Sequence, residues 1–218
     1  MIEDVLEMLE TRLGAMHERL PGVVVGTVSS VDDPMTLGRV QVKIPAIDSS
    51  DTAPWARVAT PMAGSEMGIY FIPRVDDEVL IAFEHGSPQA PYVIGALWNA
   101  NNPPPLPSPS AEIRKIKTPA GIEVILSDRP TTVTISTPNK EKIEIADEGI
   151  TIETSSAKIV VGASEASVKI TAGSNKIELT SSGITVDASP NLTLKASGNI
   201  DIQGGATCSI SAATVKIN

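Results

Sequence analysis

The residues able to perform chemistry are few and lie far apart in this sequence. Asp76, Asp77 and Glu78 form a carboxyl cluster in an expected loop, and paired carboxyl groups are what glycoside hydrolysis requires. Neighbouring side chains at the entry to a strand point in different directions, which is a poor geometry for such a pair. We therefore interpret this cluster as a solvated turn.

The histidine and cysteine positions give no stronger signal. His85 stands near Ser87 in "EHGSP", but a catalytic triad also needs a third group that orients the histidine. His17, His85 and Cys208 are too scattered for a zinc pattern, and "GSEMG" lacks the lysine and the following helix of a phosphate-binding loop. Small, alternating neighbours favour a buried filler role for Cys208 over a reactive or inter-chain thiol. We predict no enzyme activity, no cofactor and no metal.

Charge and aromatic content divide the 218-residue chain into two different halves. Residues 1–112 carry 6 Lys and Arg against 15 Asp and Glu, whereas residues 113–218 carry 11 of each. Every aromatic residue lies between positions 55 and 98, so the two halves must have different cores. Because binding to a phosphate backbone depends on Lys and Arg displacing counterions, nucleic acid is a poor partner.

The N-terminal residues predict a short amphipathic helix over residues 1–21. Apolar side chains recur with heptad spacing, at Ile2, Leu6, Leu9, Leu13, Met16 and Leu20. A helix this short is only marginally stable in isolation. We therefore predict an interface at Leu6, Leu9, Leu13 and Met16, either with sister copies or with another protein. The segment lacks the basic and apolar regions of a secretory signal, which predicts synthesis in the cytoplasm.

Residues 22–100 predict a small antiparallel β-barrel. Six β-rich runs are separated by turn residues, at positions 23–31, 38–44, 55–61, 69–73, 78–84 and 92–98. This number of short strands suits a Greek-key barrel of the OB type. The next segment, 101–112, contains "NNPPPLPSPS", which favours extended polyproline II and indicates a linker between domains.

Residues 113–218 carry an internal repeat of about eight residues. Each unit has a short alternating apolar run and a small turn, and about thirteen strands are expected, which is typical of a fibrous β-solenoid. The first apolar residues of successive runs form the predicted shaft core, with Cys208 in the same series: Ile143, Ile150, Ile159, Val168, Ile177, Ile184, Leu192, Ile200 and Val215.

An eight-residue unit cannot enclose a core by itself. Ordering eight residues costs about 8 to 16 kcal/mol of backbone entropy, and two or three buried aliphatic side chains contribute only about 1.5 to 3 kcal/mol each. If three chains wrap around one axis, each unit supplies one wall, and strands find backbone partners above and below. We therefore predict a mainly β homotrimer whose C-terminal part is an intertwined triple-stranded β-helix.

The barrel region resembles the OB domain of baseplate assembly protein V and of VgrG-type central spikes. The resemblance covers about residues 20–218, and Arg74 and Asp76 depart from it in one turn. The matching positions are Asp33, Pro34, Gly38, Arg39, Val40, Trp55, Pro73, Asp77, Glu78, Val79, Pro91, Val93, Gly95, Leu97 and Asn99.

This resemblance implies a structural central spike of a contractile injection apparatus. Such a spike is a homotrimeric needle that pierces the target envelope, contacts the membrane transiently and is assembled in a baseplate. The short N-terminal segment implies a separate hub protein, and the absence of His after His85 implies no metal-binding tip. A PAAR-type cap is expected to cover Val215, Ile217 and Asn218, because a blunt β-helix leaves strand edges open.

Two other functions stay open at this stage. A tail-fibre-like protein that binds or cleaves glycans would usually have an aromatic-rich sugar groove, which a shaft without rings lacks. An OB-type nucleic-acid binder would need basic and aromatic residues on one face, but residues 23–98 contain only Arg39, Lys43, Arg57 and Arg74 as cations.

Overall fold

The computed structural model describes residues 20, 22–45, 53–106, 110–163 and 167–217. The chain divides into two compact units, with the boundary between residues 107 and 108. Except for Leu20, the predicted N-terminal helix and its interface residues Leu6, Leu9, Leu13 and Met16 lie outside the described residues.

The first unit is a closed five-stranded barrel, as expected from the sequence. Its strands follow the order β1-β2-β3-β7-β6 around the barrel, and β3 and β7 are parallel. A two-stranded hairpin, β4 and β5, and a short 3-10 turn at Glu84–Gly86 are added to it. The strands are β1 Val23–Ser30, β2 Val40–Lys43, β3 Trp55–Val58, β4 Ala63–Gly64, β5 Met67–Gly68, β6 Glu78–Phe83 and β7 Pro91–Leu97.

Alternation along each strand builds the barrel core. On β6, Val79, Ile81 and Phe83 are buried while the residues between them are partly exposed, the pattern of a strand with one face inward. All of the buried hydrophobic residues among the described positions belong to this barrel: Val28, Val40, Val42, Ile44, Ala56, Val79, Ile81, Phe83 and Val93.

The prediction of a strand at residues 69–73 was wrong. The backbone N–H of Ile69 donates to the carbonyl of Met62 at 3.0 Å, and the chain then runs to Pro73 without a neighbouring strand. Pro73 has no N–H to give to a ladder. The N–H of Arg74 donates to the Asp77 carboxylate at 2.7 Å, so the segment ends in a turn.

The second unit is a nine-stranded antiparallel sheet in which each strand pairs with its neighbours in sequence. Within residues 113–187 the strands pair inside one chain, and the intertwined triple-stranded β-helix stays a prediction. The strands are β8 Ile113–Lys117, β9 Glu123–Asp128, β10 Thr131–Ser136, β11 Lys142–Ala146, β12 Gly149–Glu153, β13 Ala157–Gly162, β14 Ser167–Ala172, β15 Asn175–Thr180 and β16 Gly183–Asp187.

The repeat continues beyond β16, but the pairing does not. Residues 188–217 contain no strand in the single chain, so nine of the roughly thirteen expected strands are formed in the described part. The short loops between strands explain the sequential pairing, because antiparallel neighbours need only a tight connection.

Candidate interaction surfaces

One face of the nine-stranded sheet carries two continuous columns of aliphatic side chains. Residues directly opposite each other on paired strands share a face, as do residues two apart on one strand. The first column contains Leu126, Val133, Ile145, Ile150, Val161, Val168, Leu179 and Ile184. The second contains Ile116, Val124, Ile135, Ile143, Ile152, Ile159, Ile170, Ile177 and Val186. We call this surface the aliphatic face.

The structure brings together six of the predicted shaft-core residues on this face. Ile143, Ile159 and Ile177 lie in the second column, and Ile150, Val168 and Ile184 lie in the first. The prediction named one aliphatic residue in each repeat. It did not include the second aliphatic residue of each strand that lies on the same face, such as Ile145 on β11 and Ile152 on β12. The alternation of residues two apart was the signal that could have found them.

The aliphatic face is open in the single chain. Ile152 on β12 is 43% exposed and Leu179 on β15 is 37% exposed, whereas Thr151 on the opposite face of β12 is less exposed than its aliphatic neighbours. Exposed apolar surface this continuous marks a site of association.

The opposite face of the sheet is polar, and its charges are matched. The ammonium group of Lys115 lies 2.8 Å from the carboxylate of Glu123, and Lys117 lies 3.0 Å from the same carboxylate. Hydrogen bonds from Lys115 and Lys117 lower the pKa of Glu123. On β11, Lys142 lowers the pKa of Glu144 in the same way, across 2.7 Å. This face is suited to contact with water.

Residues 188–217 carry the same apolar pattern without any partner in the single chain. Leu192 and Leu194 are 58% and 66% exposed, and Ile200 and Ile202 are 51% and 66% exposed. No backbone-to-backbone hydrogen bond is made by this stretch in the described structure. Extended backbone that is dehydrated on burial must find such bonds, so any packing of these side chains requires strand partners from elsewhere.

The predicted tip residues lie at the end of this stretch. Val215 is 48% exposed and Ile217 is 90% exposed, and Asn218 lies outside the described residues. Cys208, for which we expected a buried filler role, is exposed in the single chain.

A clamp between Asp33 and Arg39 closes the turn between β1 and β2. The Asp33 carboxylate accepts hydrogen bonds from the backbone N–H groups of Met35 and Leu37, at 3.0 and 2.8 Å. It also accepts one from the Arg39 guanidinium at 2.7 Å. The guanidinium, with these backbone donors, holds the pKa of Asp33 well below its usual range. Both residues belong to the motif that carries the resemblance, and here they fix a turn.

The barrel also has an open groove of about 660 Å³, which we call the aromatic groove. Four of its lining residues are aromatic, namely Trp55, Tyr70, Phe71 and Tyr92. The Arg39 guanidinium lies 5.6 Å from the Trp55 ring centroid, and Arg57 lies 5.7 Å from that of Tyr92, within the range of a cation–π contact. The groove is not visible in the sequence, because residues from distant segments form it.

The residues considered first for catalysis do not form a site. Asp77 accepts the Arg74 N–H in its turn, while Glu78 on β6 accepts a hydrogen bond from Asn99 at 3.2 Å. His85 is exposed, and no side-chain hydrogen bond joins it to Ser87 in the described structure. Within the described ranges, no cluster of three or more His, Cys, Asp or Glu side chains could hold a metal ion.

Two family matches fit these two units. Residues 24–98 match the type VI secretion system/phage-baseplate injector OB domain, and residues 114–173 match the phage baseplate V C-terminal trimerisation domain. Together the matches cover more than half of the chain. The chain therefore belongs to the phage baseplate V family, and its trimerisation domain supports a homotrimer.

Curated relatives point to the same class. The chain is 34% identical over 83 residues to the type VI secretion system spike protein VgrG3 of Vibrio cholerae, and 31% identical over 83 residues to the actin cross-linking toxin VgrG1 of that species. Each alignment covers 36% of this chain and 8% of the relative. VgrG4b of Pseudomonas aeruginosa is 40% identical over 62 residues, covering 28% of this chain and 8% of the relative.

The chain thus spans a small part of the length of these relatives. Two of these three relatives are type VI secretion system spike proteins, and the similarity covers 8% of each. In the parts of the chain that the structure describes, no helix is long and apolar enough to cross a bilayer.

Proposed function

We propose that three copies of this chain form a rigid needle that pierces a target envelope, and that the needle connects a separate hub protein to a PAAR-type tip cap. The observation that carries this proposal is the aliphatic face, which is open along the whole sheet in one chain. Three such faces turned toward a common axis would bury one another, and the polar faces would stay in water. Burying the exposed half of an isoleucine contributes about 1 kcal/mol.

The unpaired stretch 188–217 supports an intertwined β-helix in the distal part of the needle. Its aliphatic pairs repeat at the spacing of the preceding strands, yet the single chain gives them no ladder. Three copies of this stretch can supply one another with backbone partners. The shaft core then includes Leu192, Ile200 and Val215 as well as the aliphatic face.

The two ends of the needle are proposed as its docking sites. The heptad-spaced residues Leu6, Leu9, Leu13 and Met16 belong to the hub end, and Val215, Ile217 and Asn218 belong to the end that takes a cap. The high exposure of Ile217 supports a cover there, because an open strand edge with apolar side chains invites uncontrolled association.

Two variants on adjacent residues of β14 test the proposal. Ile170 lies on the aliphatic face between Ile159 and Ile177, whereas Thr171 lies on the polar face between Lys158 and Lys176. We expect the I170D variant to elute as a monomer on size-exclusion chromatography with light scattering. The T171D variant adds the same charge and should remain a trimer.

Near-ultraviolet circular dichroism of the barrel aromatics shows whether each variant still folds. If I170D stays trimeric with a folded barrel, the aliphatic face is not the trimer core, and the proposed needle is wrong.

A further inference from the structure

We propose that the aromatic groove of the barrel is the docking site of this chain's own N-terminal segment. In this arrangement residues 2–19 bind as an amphipathic helix, and the groove, in place of the hub protein, is the partner of Leu9, Leu13 and Met16. The proposal concerns the barrel alone and does not depend on the needle.

The groove has the composition of a protein-binding surface. Tyr70 is 80% exposed and Phe71 is 68% exposed, and large rings are seldom left open without a partner. Aromatic residues together with arginine are also the side chains that dominate binding energy at protein interfaces. The groove volume of about 660 Å³ can hold several aliphatic side chains.

The charges of the groove favour an apolar peptide over a nucleic acid. Arg39 is paired with Asp33 at 2.7 Å, and Tyr92, over which Arg57 lies, donates its hydroxyl hydrogen bond to Glu84 at 2.7 Å. Arg39 is thus neutralised by Asp33, and Glu84 adds a negative charge to the groove lining, so little net positive charge is left to attract phosphates. The guanidinium groups also cover one side of the Trp55 and Tyr92 rings, where a base would stack.

Leu20 shows where the N-terminal segment joins the barrel. It is the last residue of the heptad series, and it packs against the barrel core while its N–H donates to the Gly86 carbonyl at 2.9 Å. Gly86 belongs to the turn that joins β6 to β7, and Glu84 and Gln89 from this same turn line the groove. The segment therefore joins the barrel beside the groove rim.

The C-terminal end of β7 lies at the other end of the barrel. Leu97 ends β7 opposite Glu78, and Asn99 then binds the Glu78 side chain. Pro91, at the start of β7, lies in the groove. The groove therefore extends to the end of the barrel where Leu20 is held.

The spacing of the apolar residues matches a helix in a groove. At 1.5 Å per residue, Met16 lies about 6 Å from Leu20 along a helix, Leu13 about 10 Å and Leu9 about 16 Å. Anchors three and four residues apart are the usual pattern of this binding mode. A helix this short is marginal alone, but the tether through Leu20 gives it a millimolar effective concentration at the groove.

Fluorescence quenching of Trp55 tests the docking in the full chain. A W98F background leaves Trp55 as the sole tryptophan, because the sequence contains two. We expect L9D/L13D to raise the acrylamide quenching constant of Trp55 about twofold, since a docked helix excludes solvent from the ring. The matched variant T11D/A15D adds the same charge on the opposite helix face and should leave the constant unchanged.

Cysteine cross-linking identifies which copy supplies the segment. With C208S to remove the native thiol, M16C and Q89C place one thiol on the segment and one on the groove wall. A short bis-maleimide should produce a cross-link within one chain, seen as a monomer band with a linked peptide after proteolysis. Cross-links found only between chains would overturn the proposal, because the occupant would then be a sister copy. Equal quenching in both charge variants would also overturn it.

Discussion

Ile143 on β11 lies directly opposite Ile152 on β12, and the two side chains are 42% and 43% exposed in the single chain. The paired residues sit in the middle of the sheet, where a protein that worked as one chain would carry polar side chains. Their exposure therefore indicates that these side chains can be buried only by contact with other copies of the chain.

Replacing Ile143 and Ile152 by alanine tests whether these side chains are buried in the assembled protein. Replacing an isoleucine that is packed in a core by alanine lowers the free energy of unfolding of the protein by about 2 to 5 kcal/mol. We expect I143A/I152A to lower the midpoint of urea unfolding strongly, whereas E144A, on the polar face of β11, should change it little. A small effect for the double variant would mean that the pair stays in water.

The reactivity of Cys208 should show whether the distal stretch is paired between copies. Cys208 is exposed in the single chain, yet it occupies an apolar position of the repeat and would be enclosed in an intertwined shaft. We expect the native protein to react with Ellman's reagent at least tenfold more slowly than the urea-unfolded protein, in keeping with a thiol shielded from solvent. Equal rates would indicate that residues 188–217 remain open.

Gly149 should be a site where a methyl group disrupts the sheet. Its φ is +133°, and a Cβ there would lie 2.0 Å from the Val161 carbonyl oxygen. Replacement by alanine therefore adds backbone strain to a steric clash, for a combined loss of about 1 to 3 kcal/mol or more. G173A is the control, because Gly173 also has positive φ but has open space around it. Thermal unfolding should show a larger loss for G149A.

The Asp33 clamp predicts a specific acid sensitivity of the barrel. The pKa of Asp33 is lowered in the folded state, so the clamp contributes stability above the ordinary pKa of about 4 and loses it as the pH falls toward the folded value. We expect the difference in melting temperature between wild type and D33N to be constant from pH 7 to about pH 5, and to shrink in more acidic buffer. A difference independent of pH would show that the charge of Asp33 is not involved.

The sequence predicted the repeating part of the molecule well because its rules are local. Alternation two residues apart fixes which side chains share a sheet face, so Ile143, Ile150 and Ile159 could be assigned to one surface from spacing alone. The identity of the backbone partner is not local. Sequential antiparallel pairing and pairing with sister copies are both compatible with the same alternation. In residues 113–187 each strand pairs with its neighbours in sequence, which requires only short loops.

In the barrel, too, local patterns could be predicted from the sequence, whereas contacts between distant segments could not. Val79, Ile81 and Phe83 on β6 could be predicted as inward by alternation. Residues 69–73 have a strand-like composition, yet they run alone, because no neighbouring strand lies beside them in the closed barrel order. The aromatic groove depends on Trp55, Tyr70 and Tyr92 meeting from distant segments, which spacing along the chain does not reveal.

The solution mass of the full chain tests the central claim most directly. Sedimentation equilibrium of the purified protein should give three times the chain mass of 22.8 kDa, with no dissociation in the micromolar range. A stable, folded species of one chain mass would contradict the account, because the aliphatic face would then be open to water in the native protein.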